Sequence, residues 1–444
     1  MVNVTNLILS LTKPTGMWES ILDWLEGAIV NYGWVIIVFT LLVKVCLSPL
    51  DFLIRFSTKK QTLVQRKLAP QIARINKKYA NDKNQAQLQT NALYKKEGFN
   101  VFGSCIVMLL NLVVTMTVFL TLFNALRIES AYKAISQYES MEVAYTQSYS
   151  EKLPEVKTNV VNKLKEYNKD SSGNDFIYSS KQSLFDGTTG ILNIYYSLTP
   201  VLNESGEAIL LTDEQTELLS LTLSNGSTTK TISSILQDEG MLAHNAGAKA
   251  ANSAWHNVKD SWLWIENIWV ADSYSSPVPT YKELSTLASN SKNKEYINHV
   301  KNINATVHAT VTGSVRAENN RWNGYFVLAV LAAVTSFLSQ YISELMTKSK
   351  NKQVNEMMEQ NNPTGGTMKF MKILLPAMMV IFVLTSSSAF GIYIVWSSIL
   401  SSGLSALIGV IINACFKKKE EEIMVGLEKE VIRSMKKLNK QKNK

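Results

Sequence analysis

Residues 373–416 read "ILLPAMMVIFVLTSSSAFGIYIVWSSILSSGLSALIGVIINACF", and no Asp, Glu, Lys, Arg or His interrupts them. A helix rises about 1.5 Å per residue, so this stretch is long enough to cross a hydrocarbon core of about 30 Å twice. Working outward, 101–126 is a second uncharged run and 325–343 a shorter one, closed by Glu344. The run 28–50 is broken only by Lys44, inside "TLLVKVCLSP". Five apolar spans in one chain mean a polytopic membrane protein. The 444 residues carry a net charge of +9 and 46% hydrophobic residues, concentrated in these runs. Residues 17–29, "MWESILDWLEGAI", place Trp, Ile and Leu among acids at helical spacing, as a helix lying in the interface does. The N-terminus has neither a basic region directly before an apolar one nor a lipid-attachment Cys, so it does not read as an ordinary signal peptide.

Charge between the spans sets the expected orientation. Segment 51–100 holds eleven Lys/Arg against three acids, and 417–444 ten against five. Segment 128–321 holds sixteen against twenty-two. Basic segments stay on the cytoplasmic side, so 51–100 and the tail are expected inside, with the N-terminus and 127–324 outside. The organisation read from these runs is an outer interfacial segment 1–27, a first span 28–50, a cytoplasmic basic hairpin 51–100 and a second span 101–126. An extracytoplasmic domain 127–324 and a third span 325–346 follow. A cytoplasmic loop 347–369, a fourth span 370–390, a fifth span 391–416 and the basic tail 417–444 complete the chain.

The hairpin reads as two helices, with Asn81 and Asp82 offering an N-cap for the second and Gly98 ending it. In the outer segment, 130–169 favours helix with a break at Pro154, 176–222 holds short Tyr/Leu/Ile/Thr runs of strand type, and 281–321 is polar. All nine tryptophans fall outside or near outer helix ends, where an aromatic belt forms. The four histidines lie in 128–321 without metal-ligand spacing, and the three cysteines lie in or beside the spans. "PTGGTMK" at 363–369 lacks the spacing of a phosphate loop. No metal, cofactor or catalytic constellation emerges.

The spans carry hydroxyls at helical spacing: Ser397, Ser401 and Ser405 with Ser398 and Ser402 beside them, Thr335, Ser339 and Ser343, and Asn111 with Thr115. Such stripes allow close helix packing, or they line a shared wet cavity. Lys44 lies about 10 Å of helix from Asp51, so it either snorkels or points into a cavity open to the cytoplasm; both placements fit.

The residues then resemble a known family. "NYGWVIIVFTLLVKVCLSPL" is similar to the first core span of the YidC/Oxa membrane-protein insertases. "KLAPQIARINKKY" and "LYKKEGFN" resemble the hairpin of those proteins, and "WLWIENIWVADS" (262–273) their short outer loop. "LAAVTSFLSQYIS" resembles their third core span, "MKFMKILLPAMM" the start of the fourth, and "GIYIVW" (391–396) the Gly and Trp of the fifth. The chain departs from the pattern at Lys44, where the family usually has arginine. It departs also at Val101, Val107 and Asn111, and at Val395, where a tyrosine is usual although Tyr393 lies nearby. The outer loop is enlarged by 130–258 and 280–320.

The resemblance implies an all-α polytopic membrane protein: a five-span insertase bundle with a cytoplasmic helical hairpin and a large mixed extracytoplasmic insertion. It implies a hydrophilic groove for clients, with Lys44, Asn111, Thr115, Ser339, Tyr393, Ser397, Ser398 and Ser401 as contacting residues. Recruitment of clients or the ribosome falls to Lys59, Lys60, Arg66, Lys67, Pro70, Lys77, Lys78 and Tyr79. Trp262, Trp264 and Trp269 would anchor the outer loop at the interface. The implied partners are nascent membrane proteins, the ribosome, the secretory translocon and the bilayer of a bacterial cell membrane, with no cofactor and no small-molecule substrate. The competing reading is a secondary transporter or channel with an extracellular sensor domain; neither inverted repeats nor matching broken helices favour it.

Overall fold

The computed structural model describes residues 11–96, 101–347 and 365–442. It is mostly helical and divides into two compact units. One comprises Gly16–Leu126, Ala271–Ser273 and Gly324–Lys444; the other comprises Met1–Thr15, Arg127–Val270 and Tyr274–Asn323.

The first unit begins with α1 (Met17–Glu26), whose Leu22 and Leu25 are buried while Trp24 is exposed. Next come α2 (Tyr32–Lys78), capped by the Asn31 side chain, and α3 (Lys83–Lys96). Asp82 accepts a hydrogen bond from the Gln85 N–H at 3.0 Å, so the expected cap of the second hairpin helix is present. Gly98 lies outside the described residues. Among the described residues, three helices are long and apolar enough to cross a membrane: Tyr32–Lys78, Leu112–Glu166 and Ser388–Gly426. Two shorter apolar helices, Val327–Ile342 and Pro376–Thr385, accompany them.

Pro49 does not end the first of these; α2 runs through it and through Pro70 as one helix of 47 residues. A proline removes one backbone donor and orphans the carbonyl four residues earlier. For Pro49 that carbonyl belongs to Val45, and the Ser48 hydroxyl donates to it at 2.8 Å.

The second unit is built on the continuation of α4 (Val101–Glu166), which contributes residues up to 126 to the first unit and the remainder here. The expected break at Pro154 does not occur. Pro154 is exposed, and the buried stripe Tyr149, Val156, Val160 and Leu164 continues past it. A proline inside a helix costs about 3 kcal/mol, which burial of those side chains on both flanks offsets. Three short helices also occur in 176–222: α5 (Tyr178–Phe185), α6 (Ile191–Tyr195) and α7 (Asp213–Ser220), the last opened by a Thr212–Gln215 capping box. A small antiparallel sheet of order β1-β2-β3 holds Lys169–Asp170, Thr222–Ser224 and Thr229–Thr231. Leu223 pairs with Lys230 and is fully buried. Gly226, at φ 90°, makes the turn between β2 and β3, a conformation that suits glycine.

Helix α8 (Ile232–Val258) packs its buried Ile235, Ala243, Ala251 and Trp255 into the same core. Helices α9 (Tyr281–Ser291), α10 (Lys294–Asn302) and α11 (Ala305–Glu318) complete this unit. This unit is therefore helical with a minor sheet. The first unit closes with α12 (Val327–Thr347), α13 (Gly365–Thr385) and α14 (Ser388–Lys442). The basic tail is thus a continuation of the last apolar helix.

Candidate functional site

Lys44 stands at the edge of the buried stripe of α2. Ile36, Phe39, Thr40 and Val43 are buried, while Leu41, Leu42, Val45 and Cys46 are exposed. The Thr40 hydroxyl, one turn earlier, donates to the Ile36 carbonyl at 2.6 Å. Lys44 is half-buried and forms no hydrogen bond or ion pair with any described residue. A charged group at membrane depth without such a bond needs water, headgroups or a bound acid.

The hydroxyl stripes lie along helix seams. Ser336 on α12 meets Ser398 on α14, with oxygens 3.4 Å apart. Ser402 and Thr335 return their hydroxyls to their own helices, to the Ser398 and Leu331 carbonyls. Ser405 accepts from the Arg55 guanidinium of α2 at 2.6 Å. Tyr393 is buried, and its hydroxyl bonds to Ser397 one turn on. Ser339, Ser397, Ser398 and Ser401 are half-buried, whereas Thr115 is exposed; the side chains of Asn111 and Ser343 lie outside the described residues. Part of the α12 and α14 stripes thus serves helix packing, as small and hydroxyl residues of membrane helices commonly do. On α4, Phe119 and Phe123 pack edge-on against Phe382 and Phe390, which ties that helix to α13 and α14.

The hairpin residues divide into two groups. Lys60, Lys67, Lys77 and Lys78 are exposed, Pro70 and Tyr79 are half-buried, and Lys78 lies 5.2 Å from the Tyr79 ring centre. Lys59 and Arg66 instead turn toward the tail helix, where both bind Glu420, at 2.9 Å and 2.5 Å. The Arg66 side chain is only 2% exposed. Phe56 packs on Phe416 in the same seam, with ring centres 4.9 Å apart. Sequence reasoning missed this seam, because Arg66 and Glu420 are 354 residues apart and nothing local marks either as a partner.

In the loop 262–273, Trp262 and Trp269 are buried and only Trp264 is half-exposed. Trp269 donates to Asp260 at 2.6 Å, and the Asn267 amide donates to Gln137 and to the Pro277 carbonyl. Asn323 accepts from the Asn267 N–H at 2.7 Å. At two of the three indoles the loop is therefore held by protein rather than by the lipid interface.

Residues 24–204 match the 60Kd inner membrane protein family. The membrane protein insertase YidC of Wolinella succinogenes is 33% identical over 111 residues, which is 25% of this chain and 20% of that protein. That of Campylobacter jejuni is 32% identical over 121 residues, 27% of this chain and 22% of the relative. That of Leptospira interrogans is 39% identical over 95 residues, 21% and 14% respectively. The alignments thus span between 14% and 22% of the length of these three relatives. No solved structure matches the chain. The ordered span and hairpin signatures, the apolar helices that carry them and these relatives point the same way: over part of its length the chain is similar to the 60Kd inner membrane protein family and to membrane protein insertases named YidC.

Proposed function

We propose that this protein inserts membrane proteins, and assists their folding, through a hydrophilic groove formed by five spans. The observation that carries the reading is the half-buried Lys44, without a hydrogen bond or ion pair among the described residues, in an apolar helix within the residues that match the 60Kd inner membrane protein family. A short polar segment of a client enters the groove from the cytoplasmic side, and its acidic residues approach Lys44. The hydroxyls of Ser339, Ser397 and Ser401 replace part of the lost water, which lowers the cost of taking polar groups below the headgroups. The client's apolar helix then moves sideways into lipid, driven by burial of its apolar surface. No covalent step is involved.

In this reading 51–100 and the tail are cytoplasmic, and the N-terminus and 127–324 face outward. The charge counts support it: the hairpin is strongly basic and the outer segment acidic. Lys60, Lys67, Lys77 and Lys78 remain exposed to meet a ribosome or an arriving client. Lys59 and Arg66, engaged by Glu420, instead hold the hairpin to the tail. The secretory translocon is a further partner. The test is reconstitution: liposomes containing the purified protein, and no translocon, should insert a single-span client with a short acidic tail. Insertion no better than into protein-free liposomes would refute the proposal.

A further inference from the structure

Asp272 belongs to the three-residue segment Ala271–Ser273, which packs with the membrane helices rather than with its chain neighbours. Its side chain is 3% exposed and takes three backbone N–H groups at the start of α12. One oxygen accepts from Tyr325 at 2.8 Å and Phe326 at 3.1 Å, and the other from Leu328 at 2.6 Å. The first turn of a helix leaves its N–H groups without internal partners and carries partial positive charge, so a carboxylate suits them. This cap comes from a segment 53 residues before Tyr325.

The local backbone is shaped around it. Phe326 has φ 58°, rare for a bulky residue. A Cβ added to Gly324 would stand 1.9 Å from the Asp272 carboxylate.

The capped end leads to the hydroxyl seam. Leu328, bonded to Asp272, packs on Gly391 of α14, where an added Cβ would lie 2.9 Å from the Leu328 methyl. About two turns further along each helix, Ser336 meets Ser398, so α12 and α14 run parallel. Between these points α12 buries only Ala329 and Ala332. Small residues permit close approach, and lipid supplies no hydrophobic force that would favour one axial register over another.

We propose that Asp272 is a positioning residue that sets the axial register of α12 against α14, and so brings Ser336 to Ser398. Its consequence for clients rests on the insertase reading of the hydroxyl stripes, but the register itself does not. The test uses the full-length protein in membranes, with Cys46, Cys105 and Cys415 replaced by Ser and with Ser336→Cys and Ser398→Cys introduced. Oxidative cross-linking should be rapid in this parent. Asp272→Ala should slow it at least tenfold. In the same background, cross-linking of the Ser398→Cys thiol to a cysteine placed one turn away on α12, by Ala332→Cys or Gln340→Cys, should rise.

Asp272→Asn, which keeps one acceptor oxygen, should fall between. Gly324→Ala, which displaces the carboxylate while leaving Asp272 in place, should act like Asp272→Ala. These two variants read the same quantity where Asp272→Ala fails to accumulate. Parent-like cross-linking in Asp272→Asn and Gly324→Ala overturns the proposal. Loss of cross-linking at every pair without gain elsewhere also overturns it, because that reports unfolding. A register shift that leaves insertion intact supports the proposal and removes this seam from the insertase mechanism. Lost insertion with the register unchanged does the opposite.

Discussion

Replacing Glu420 with Ala is expected to free the hairpin from the tail helix and to do so at measurable cost. Glu420 holds two cations, Lys59 at 2.9 Å and Arg66 at 2.5 Å. Arg66 is almost wholly buried, so loss of Glu420 leaves a guanidinium in the seam without its carboxylate. Breaking one side of a buried ion pair costs about 3–5 kcal/mol. Glu420 itself is 28% exposed, so water reaches the site and the low end, about 3 kcal/mol, is the reasonable expectation. At 1.4 kcal/mol per decade this is roughly a hundredfold rise in local opening.

Hydrogen exchange on the detergent-solubilised protein reads that opening at the amides of residues 60–72. Glu420→Ala should speed exchange there by about that factor, with little change in the α8 amides of the other unit. The double variant Arg66→Met/Glu420→Leu should recover most of the protection, because an apolar pair of similar volume replaces a buried ion pair at little cost. Exchange unchanged in Glu420→Ala would refute the claim that this carboxylate holds the seam.

Other consequences follow from the same structure. Burial pushes the His308 imidazole down to about 4, with the Arg316 charge adding to the effect. The unfolded chain, near 6.5, then binds more protons between those values, so stability falls as pH drops through this window, by up to about 3 kcal/mol. His308→Phe, which keeps the stack on Tyr138, should flatten that part of the pH–stability curve; an unchanged slope would count against the argument. His299 works in the opposite sense: its bond to Glu139 raises its pKa, so its contribution is full below 6.5 and is lost as pH rises through the folded value. In a protein cleared of native cysteines, one placed at Ser57 should be shielded from impermeant thiol reagents in intact cells and one at Ser224 should label, and the reverse pattern would invert the proposed orientation. Deleting 130–258 or 280–320 while keeping 262–269 should spare insertion of a translocon-independent client, whereas deleting 262–269 should not; failure of the flanking deletions at matched abundance would give the outer domain a part in the mechanism.

What the sequence made legible depended on whether the signal was local. Uncharged run length located the apolar helices, and Asp82 three residues before Gln85 announced the hairpin cap that the structure contains. Proline was a poor guide to helix ends. Pro49, Pro70 and Pro154 all lie inside continuous helices. At Pro49 a serine one residue earlier repairs the missing bond, and at Pro154 the buried stripe on both flanks outweighs the break. The Tyr- and Thr-rich runs of 176–222 were strand-like in composition, yet where Tyr178, Phe185, Ile191 and Leu192 are buried the chain forms short helices. Long-range partners left no trace at all. Neither the Glu420 clamp nor the Asp272 cap has a spacing that a sequence displays, since each joins residues that only the fold brings together. The tryptophans of the outer loop read as interfacial from their type, but Trp269 commits its indole N–H to Asp260 inside the protein.

The central claim is that the charge at position 44 acts on the client, and a charge series in reconstituted liposomes tests it most directly. At about 8 Å and an effective dielectric of about 20, a unit charge interacts with a client carboxylate by about 2 kcal/mol, roughly thirtyfold in rate if felt at the barrier. Lys44→Arg should insert an acidic-tailed client at nearly the parent rate, Lys44→Leu should be slower, and Lys44→Glu slower still by repulsion. The same client with its tail acids replaced by Asn or Gln should show little difference among the variants. Lys44→Glu inserting the acidic client at the parent rate, at equal abundance, would contradict the account and leave Lys44 as a lysine that merely reaches for the surface.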